Sequence, residues 1–291
     1  MLGYLLLSGI TTGALYALIA LGIAIVFKAS GAVNLAHGDM FMVSGFIAYT
    51  LHVTWHVPYV LTLPLVVLAG FAVGLAAERI AFRPVFKHGL VSVLLATIGL
   101  SFVLKGIARD VWGGLGDVLP FPPVVANDPI MLGDMIVLPQ QLVALGGAIA
   151  VMVGFTLFFR LTRLGKQMQA VADNKKAATL VGIRVSRVYM LTFAISAAVG
   201  GAAAVLMAPL TMLYPDLGFS LFLKAFAAAV LGGLTSIPGA LVGGLLIGLI
   251  ETLASGYIST GLQDVSAFIV IMFVLVVMPT GLFGERRARL V

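Results

Sequence analysis

Long apolar stretches without a single Asp, Glu, Lys or Arg constrain this chain more than any other feature. They cover residues 1–27, 40–77, 89–104, 135–159, 188–215, 225–250 and 265–284. A helix needs about 20 apolar residues to cross the hydrocarbon core of a bilayer. With 61% hydrophobic and only 10% charged residues, the chain has more apolar side chains than a soluble domain of its size can bury. We therefore predict an all-α polytopic membrane protein with a single transmembrane domain over 1–291.

Two of these stretches are too long for one crossing, and both contain residues that interrupt a helix. HVTWHVP at 52–58 is typical of an interfacial turn, and Pro238 with its neighbouring glycines interrupts 225–250. The second and seventh of the resulting spans are short, so either is a candidate half-helix or re-entrant segment. Nine spans are favoured and eight are the alternative. The predicted spans are 4–27, 38–54, 58–80, 90–108, 140–160, 188–209, 221–235, 239–258 and 264–283.

The connections between spans differ in charge, which predicts the orientation in the membrane. The loop at about 161–187 is strongly basic, whereas the loop at about 110–139 carries four aspartates. Basic loops remain in the cytoplasm, so the acidic loop is expected outside. Nine spans then place the N-terminus outside and the C-terminus, with Arg286, Arg287 and Arg289, in the cytoplasm. This charge distribution indicates contact with membrane lipid and not with nucleic acid.

Several kinds of chemistry have no support in the sequence. There is no G-x-x-x-x-G-K-[ST] phosphate loop, so ATP-driven work would need a separate ATPase polypeptide. There is no cysteine, no cluster of metal ligands and no carboxylate pair or nucleophile–base arrangement, so we predict no catalytic residue, metal or cofactor in this chain. A stand-alone channel or secondary carrier remains the alternative of a different class, although few ionisable residues lie within the spans.

The basic loop contains the most informative segment, LTRLGKQMQAVADNKKAATLVGIRVSRVY at 161–189. It predicts two short helices, with Asp173 or Asn174 capping the second and Gly182 ending it. Ala177 belongs to a face of small side chains on this second helix. Two interpretations fit equally well: insertion into a groove on another protein, or an amphipathic linker lying on anionic lipid.

Some polar or small residues within the spans are candidates for a substrate pathway or gate, each with a structural alternative. The segment NLAHGDM at 34–40 brings Asn34, His37 and Asp39 into the membrane, where Asn34 or Asp39 could instead cap the following helix. Glu251 is a polar lining residue or a tie between helices, or else lies near water at the end of its span. Close helix packing is the alternative for the last candidates, which are Thr97, Gly232 and Gly233.

Two glycine-rich runs look alike, GITTGALYALIALG at 9–22 and GALVGGLLIGLIETL at 239–253. Many transporters contain internal repeats, which would explain the likeness. Shared glycine and alanine content alone would also explain it.

The segment GKQMQAVADNKKAATLVGI also resembles the cytoplasmic coupling loop of bacterial ABC importer permeases for branched-chain amino acids, and is similar to the LivH-like subunits among them. The core NLAHGD at 34–39 and LLATIGLSFVLKG at 94–106 support this resemblance. So does the C-terminal half, in the runs that occupy 228–253 and 278–285. The resemblance therefore extends over nearly the whole chain.

This resemblance implies an ABC importer permease fold and a set of partners. The core would contain two permease subunits, this one and a paralogous partner, each on an ABC ATPase subunit that holds ATP and Mg, with a periplasmic substrate-binding protein outside. The substrate would be a branched-chain amino acid, with urea, amides or aromatic acids as alternatives. The residues implied in coupling to the ATPase are Gly165, Ala170, Asp173, Asn174, Ala177 and Gly182.

Overall fold

The computed structural model describes residues 2–113, 118–125, 128–132 and 135–284. The predicted external aspartates Asp117 and Asp134 and the C-terminal arginines lie outside these residues. The described helices are α1 Leu2–Ser30, α2 His37–Tyr49, α3 Tyr59–Ala77, α4 Leu90–Trp112, α5 Pro139–Leu161, α6 Arg163–Asp173, α7 Lys175–Leu180, α8 Val185–Met207, α9 Leu217–Gly232, α10 Ile237–Tyr257 and α11 Leu262–Val277. The short strands are β1 Leu119–Pro120, β2 Ile130–Leu132, β3 Met135–Val137 and β4 Met212–Leu213.

Each predicted span corresponds to a helix in the described part of the chain, which confirms the all-α polytopic class. Among the described residues, six helices are long and apolar enough to cross a membrane, and α9 and the part of α11 from Val265 are shorter apolar helices. The second predicted span is α2 together with the π-helical turn Thr50–Thr54 that continues it. A π-helical turn also continues α3, over Glu78–Phe82.

Contacts between helix termini define two ends of the bundle. At the end called here the basic end, the Lys175 ammonium donates to the carbonyl of Ser30, and a cavity is shared by Lys28, Arg160 and Phe283. At the opposite end, β1 pairs antiparallel with β4. The C-terminal end of α1 and the last described residues thus lie at the basic end. The described residues 2–284 therefore start at one end of the bundle and finish at the other, which agrees with an odd number of crossings.

The two short helices α2 and α9 begin inside the bundle. His37, in the first turn of α2, lies against Gly22 of α1 and Ser196 of α8. Gly22 is eight residues before the end of α1, which places His37 about 12 Å below that end at a rise of 1.5 Å per residue. The backbone of Gly218, in the first turn of α9, touches the backbone of Gly38. Both short helices therefore start at an interior level, as broken elements can when protein surrounds them.

Glycines hold α1 directly against α10. A Cβ added at Gly13 would meet the backbone of Gly244, and one at Gly248 would meet the backbone of Gly13. Gly9 lies in the same way against Leu249, so the two helices run antiparallel. Close backbone approach of this kind gives dispersion contacts where lipid supplies no hydrophobic driving force. The two similar glycine-rich runs of the sequence are thus the two faces of one interface.

The helices differ strongly in how much protein surrounds them. The apolar windows of α1 and α8 are 83% buried, whereas those of α4 and α5 are only 17% buried. The alanine-rich and glycine-rich sequences of α1 and α8 allow neighbours to approach on all sides. Helices α4 and α5 therefore present most of their surface to lipid or to another subunit.

Candidate coupling surface and polar segments of the bundle

The basic loop forms two short helices, as predicted, and both ends of the second are specified by side-chain and backbone geometry. The Asn174 side-chain oxygen accepts a hydrogen bond from the amide of Ala177 at 3.0 Å, which caps the start of α7. At its end, Gly182 has a φ of +84°, and its amide and that of Ile183 donate to the carbonyls of Thr179 and Ala178. This pair of bonds is a Schellman motif, in which glycine avoids the strain of a left-handed conformation.

Helix α6 anchors this unit to the membrane helices. The Thr162 hydroxyl accepts a hydrogen bond from the amide of Gly165, and Gly165 lies so close to the backbone of Phe159 that a Cβ would collide with it. The Gln169 side chain donates to the carbonyl of Phe159 at 2.8 Å. Ala170 is half-buried on the same helix. The base of the loop is therefore fixed to the end of α5.

The tip of the loop, by contrast, projects from the protein. Asp173, Asn174, Ala177 and Gly182 are exposed. Further along α7, the apolar side chains of Leu180 and Val181 are exposed by 88% and 76%. We call α6, α7 and the turn through Gly182 the coupling element. It combines a fixed base with a small, partly apolar tip, which suits insertion into a groove on a partner.

A cavity of about 490 Å³ opens beside the base of the coupling element. Lys28 of α1, Arg160 of α5 and Asp173 of α6 contribute its charged lining. Ser236 and Pro238 at the start of α10 line the other side. The cavity therefore joins the coupling element to the ends of three membrane helices at the basic end.

Of the predicted pathway residues, Asn34, His37 and Asp39 lie together where α2 begins, and all three are buried. The Asn34 side-chain oxygen accepts from the amide of Ala36, so it closes a turn before the helix. The Ser196 hydroxyl lies 3.3 Å from Nδ1 of His37 and donates to the carbonyl of Gly22. Three buried polar side chains thus lie at the interior start of one short helix.

The capping alternative for this segment is wrong. The N-cap of α2 is Ala36, and no side chain accepts from the first amides of the helix. The Asp39 carboxylate does not cap the helix; Ser101, Lys105 and Asp216 of other segments lie around it. The capping expectation treated residues 34–40 as an ordinary helix start near water. The segment instead enters the bundle, where neighbouring helices surround the polar groups.

Glu251 lies elsewhere, in an ion pair with Lys224 that ties α10 to α9. The Lys224 ammonium donates to Oε1 of Glu251 at 2.7 Å, and both residues are buried. The Tyr16 hydroxyl of α1 donates to the same oxygen at 3.2 Å. Glu251 is thus a tie between helices, and its expected position near water is wrong.

The remaining candidates occupy separate places. Thr97 is buried on α4 and donates its hydroxyl to the carbonyl of Leu94. Gly232 packs against the backbone of Gly239 at the basic end, and Gly233 has a φ of +103° in the turn between α9 and α10. Phe283 donates its amide to the carbonyl of Gly232. The predicted pathway residues therefore form several groups and not one continuous lining.

Sequence reasoning also missed residues that the structure adds to these groups. Ser196 completes the contacts of His37, and Tyr16 joins the Lys224–Glu251 pair. The opposite charges of Lys224 and Glu251, in neighbouring apolar spans, are a signal that could have indicated the pair. Ser196 and Tyr16 carry no such signal, because serine and tyrosine also occur in helices without a buried partner.

Comparison with known families identifies the architecture. The family model described as the permease component of branched-chain amino acid transport systems matches residues 5–277. The chain belongs to this family. The coupling element and both short helices lie within the matched residues, so they are parts of the shared permease domain.

Individual relatives agree with the family. This permease-family member is 35% identical to the high-affinity branched-chain amino acid transport system permease protein LivH of Escherichia coli, over 96% of this chain and 94% of the relative. It is 33% identical to BraD of Pseudomonas aeruginosa, a protein with the same description, over 96% of this chain and 95% of the relative. The ribose import permease protein RbsC of Haemophilus influenzae is 26% identical, over 87% of this chain and 76% of the relative.

A solved structure also shares the fold. PsaBC from Streptococcus pneumoniae in complex with Fab matches with a TM-score of 0.50 and 13% identity, over 94% of this chain and 91% of that chain. At this identity the likeness concerns the arrangement of helices alone. It places this permease-family member among proteins with the same all-α membrane architecture.

Proposed function

We propose that this chain forms the translocation pathway for branched-chain amino acids as the permease subunit of an ABC importer in a bacterial inner membrane. The family match over residues 5–277 carries this proposal. Relatives named for branched-chain amino acid transport reach 35% identity over 96% of the chain, whereas the ribose permease reaches 26% over 87%. These values favour Leu, Ile and Val as substrates over a sugar.

The proposed partners follow from the absence of a phosphate loop in the sequence and from the exposed coupling element. Two ATPase subunits would hold ATP and Mg, and one of them would receive the tip of α7 in a groove. A paralogous permease would complete the core, and a periplasmic protein would deliver the substrate. The large exposed surfaces of α4 and α5 are available for lipid and for this second permease.

The proposed orientation places the basic end in the cytoplasm. That end carries Lys28, Arg160 and the arginines of α6 and α8, and an excess of basic residues marks cytoplasmic loops. The N-terminus is then outside and the C-terminus inside. The coupling element and the cavity beside it face the ATPases in this orientation.

The contacts of the coupling element indicate how movement of an ATPase would reach the pathway. Lys175 donates to the carbonyl of Ser30 in α1 and its ammonium lies over the ring of Tyr189 in α8. Displacement of α7 would therefore be passed to α1 and α8, and these are the helices that hold His37 at the start of α2. We assign the gate to this start, with Asn34, His37 and Asp39. ATP and loaded binding protein would supply the difference in free energy between the two gate states.

Site-directed cross-linking tests this proposal, and the sequence has no cysteine to interfere. Ala177→Cys places one thiol on the exposed tip of α7, and Ser259→Cys places a matched thiol on an exposed residue just after α10. With a short maleimide-to-amine reagent, we expect Ala177→Cys in the assembled transporter to link to an ATPase subunit and Ser259→Cys not to link. Absence of a link from residue 177, or equal links from both positions, would contradict the proposed docking.

A further inference from the structure

Five arginines converge at the basic end from three parts of the sequence. Arg79 lies in the π-helical turn after α3, Arg83 directly follows that turn, and Arg163 starts α6. Arg184 and Arg187 lie at the start of α8. All five are exposed, and we call them the arginine patch. Their separation in the sequence shows that folding, and not one basic run, builds this surface.

The arginine patch lines two adjoining depressions. One is bordered by Arg79, Arg83, Arg184 and Arg187, and the other by Arg163 together with the last two of these. Among the described residues, no carboxylate lines either depression. The guanidinium groups therefore surround a space that an anion can enter from outside.

Unpaired charge is the second feature of this surface. Within the described chain, none of the five arginines lies within salt-bridge distance of a carboxylate. The nearby acid is Glu78, which is buried behind Arg79 and Arg83 and interacts with them only at longer range. A planar guanidinium presents its donors in a fork that fits phosphate oxygens, so a phosphate group is a well-matched ligand.

The surroundings of the patch are apolar, which decides between a lipid and a protein ligand. Met190 borders the first depression and Leu191 the second. Ile80, which lies between Arg79 and Arg83 in the sequence, is exposed by 77%, and Val91 at the start of α4 is exposed by 71%. A phosphate carried on acyl chains would place its charge on the arginines and its chains on these side chains.

We propose that the arginine patch binds the headgroup phosphate of an anionic phospholipid at the basic end of α3 and α8. This inference goes beyond the transport function and holds for any substrate. It differs from docking of the ATPase, which would use the projecting tip of α7. The lipid would hold the base of α8 against the end of α3, next to the coupling element.

Lipid selectivity of the unmodified protein is the first test. The full transporter is placed in bilayers of phosphatidylcholine containing a trace of spin-labelled phosphatidylglycerol or spin-labelled phosphatidylcholine, and the motionally restricted fraction is measured. We expect phosphatidylglycerol to be restricted severalfold more than phosphatidylcholine. Equal restriction of the two lipids would overturn the proposal, and so would loss of the preference in millimolar inorganic phosphate, which would show a site for the free anion.

Matched variants locate the site. Arg79→Gln/Arg187→Gln removes two charges from the patch, whereas Lys87→Gln/Lys166→Gln removes two exposed charges elsewhere at the same end. Each basic residue near an anionic surface contributes about fivefold in binding, so the patch variant should lose about 25-fold in affinity for phosphatidylglycerol. The control should lose much less. Equal loss in both variants would show general attraction by net charge and would refute a defined site.

Discussion

The buried pair of Lys224 and Glu251 gives the sharpest prediction about what holds the bundle together. Lys224→Met leaves the Glu251 carboxylate without its partner at 2.7 Å, in a place where it is 2% exposed. Removing one member of a buried pair costs about 3–5 kcal/mol, because the remaining charge has lost its compensation. Glu251→Gln removes the same ion pair and should also destabilise the bundle.

The double variant Lys224→Met/Glu251→Gln should be far more stable than the sum of the single effects predicts. Neither position then carries a charge, and the Gln oxygen still accepts from the Tyr16 hydroxyl. We therefore expect its free energy of unfolding to lie within about 1–2 kcal/mol of the native value. The double variant should therefore be more stable than Lys224→Met alone, which costs about 3–5 kcal/mol, so the two substitutions should not be additive.

Equilibrium unfolding in mixed micelles with increasing dodecyl sulfate measures these free energies. Fluorescence of the two tryptophans follows the transition, since Trp112 donates to the Thr50 hydroxyl between α4 and the turn after α2. Additive single costs, or a loss below about 1 kcal/mol in Lys224→Met, would refute the assignment of this pair as a compensated tie.

Three further predictions concern coupling, packing and orientation. Ala177→Trp should leave membrane insertion intact but abolish the stimulation of ATP hydrolysis by loaded binding protein, measured in proteoliposomes; unchanged stimulation would contradict the coupling assignment. Gly13→Leu should destabilise the protein by more than about 2 kcal/mol, because its side chain meets the backbone of α10, whereas Gly99→Leu, with nothing within 4 Å, should change stability little. Thermal unfolding compares these two variants, and equal losses would contradict the glycine interface. A reporter fused after Val291 should map to the cytoplasm, and an external signal would reverse the orientation.

The sequence predicts the helices well because the length of an uncharged run is set by the thickness of the bilayer. Each predicted span overlaps a described helix, with boundaries that differ by up to six residues at the end of α11. Asn174 and Gly182 are predictable because capping depends on local residues alone. Charge asymmetry also predicts that the end of the last span lies at the same end of the bundle as the basic loop, and Phe283 lines the cavity there with Arg160.

The level at which a helix starts within the bundle, and the partners of its buried polar side chains, could not be predicted from the sequence. Hydrophobicity does not show that α2 starts beside Gly22, because that level depends on how residues 31–36 re-enter the bundle. Asp39 looked like a helix cap for the same reason. The burial of Glu251 could not be predicted either, because it depends on a contact with Lys224, which belongs to another helix. The arginine patch is also invisible in the sequence, since its members become neighbours only when α3, α6 and α8 meet.

Transport by the reconstituted complex tests the proposed function most directly. The chain is inserted into liposomes with its partner permease, its ATPases and its binding protein, and radiolabelled leucine is supplied outside with ATP on the side of the basic end. We predict accumulation of leucine against its gradient that requires ATP and is reduced by isoleucine and valine but not by ribose. Uptake by this chain alone under an ion gradient, without ATPases, would contradict the proposed importer.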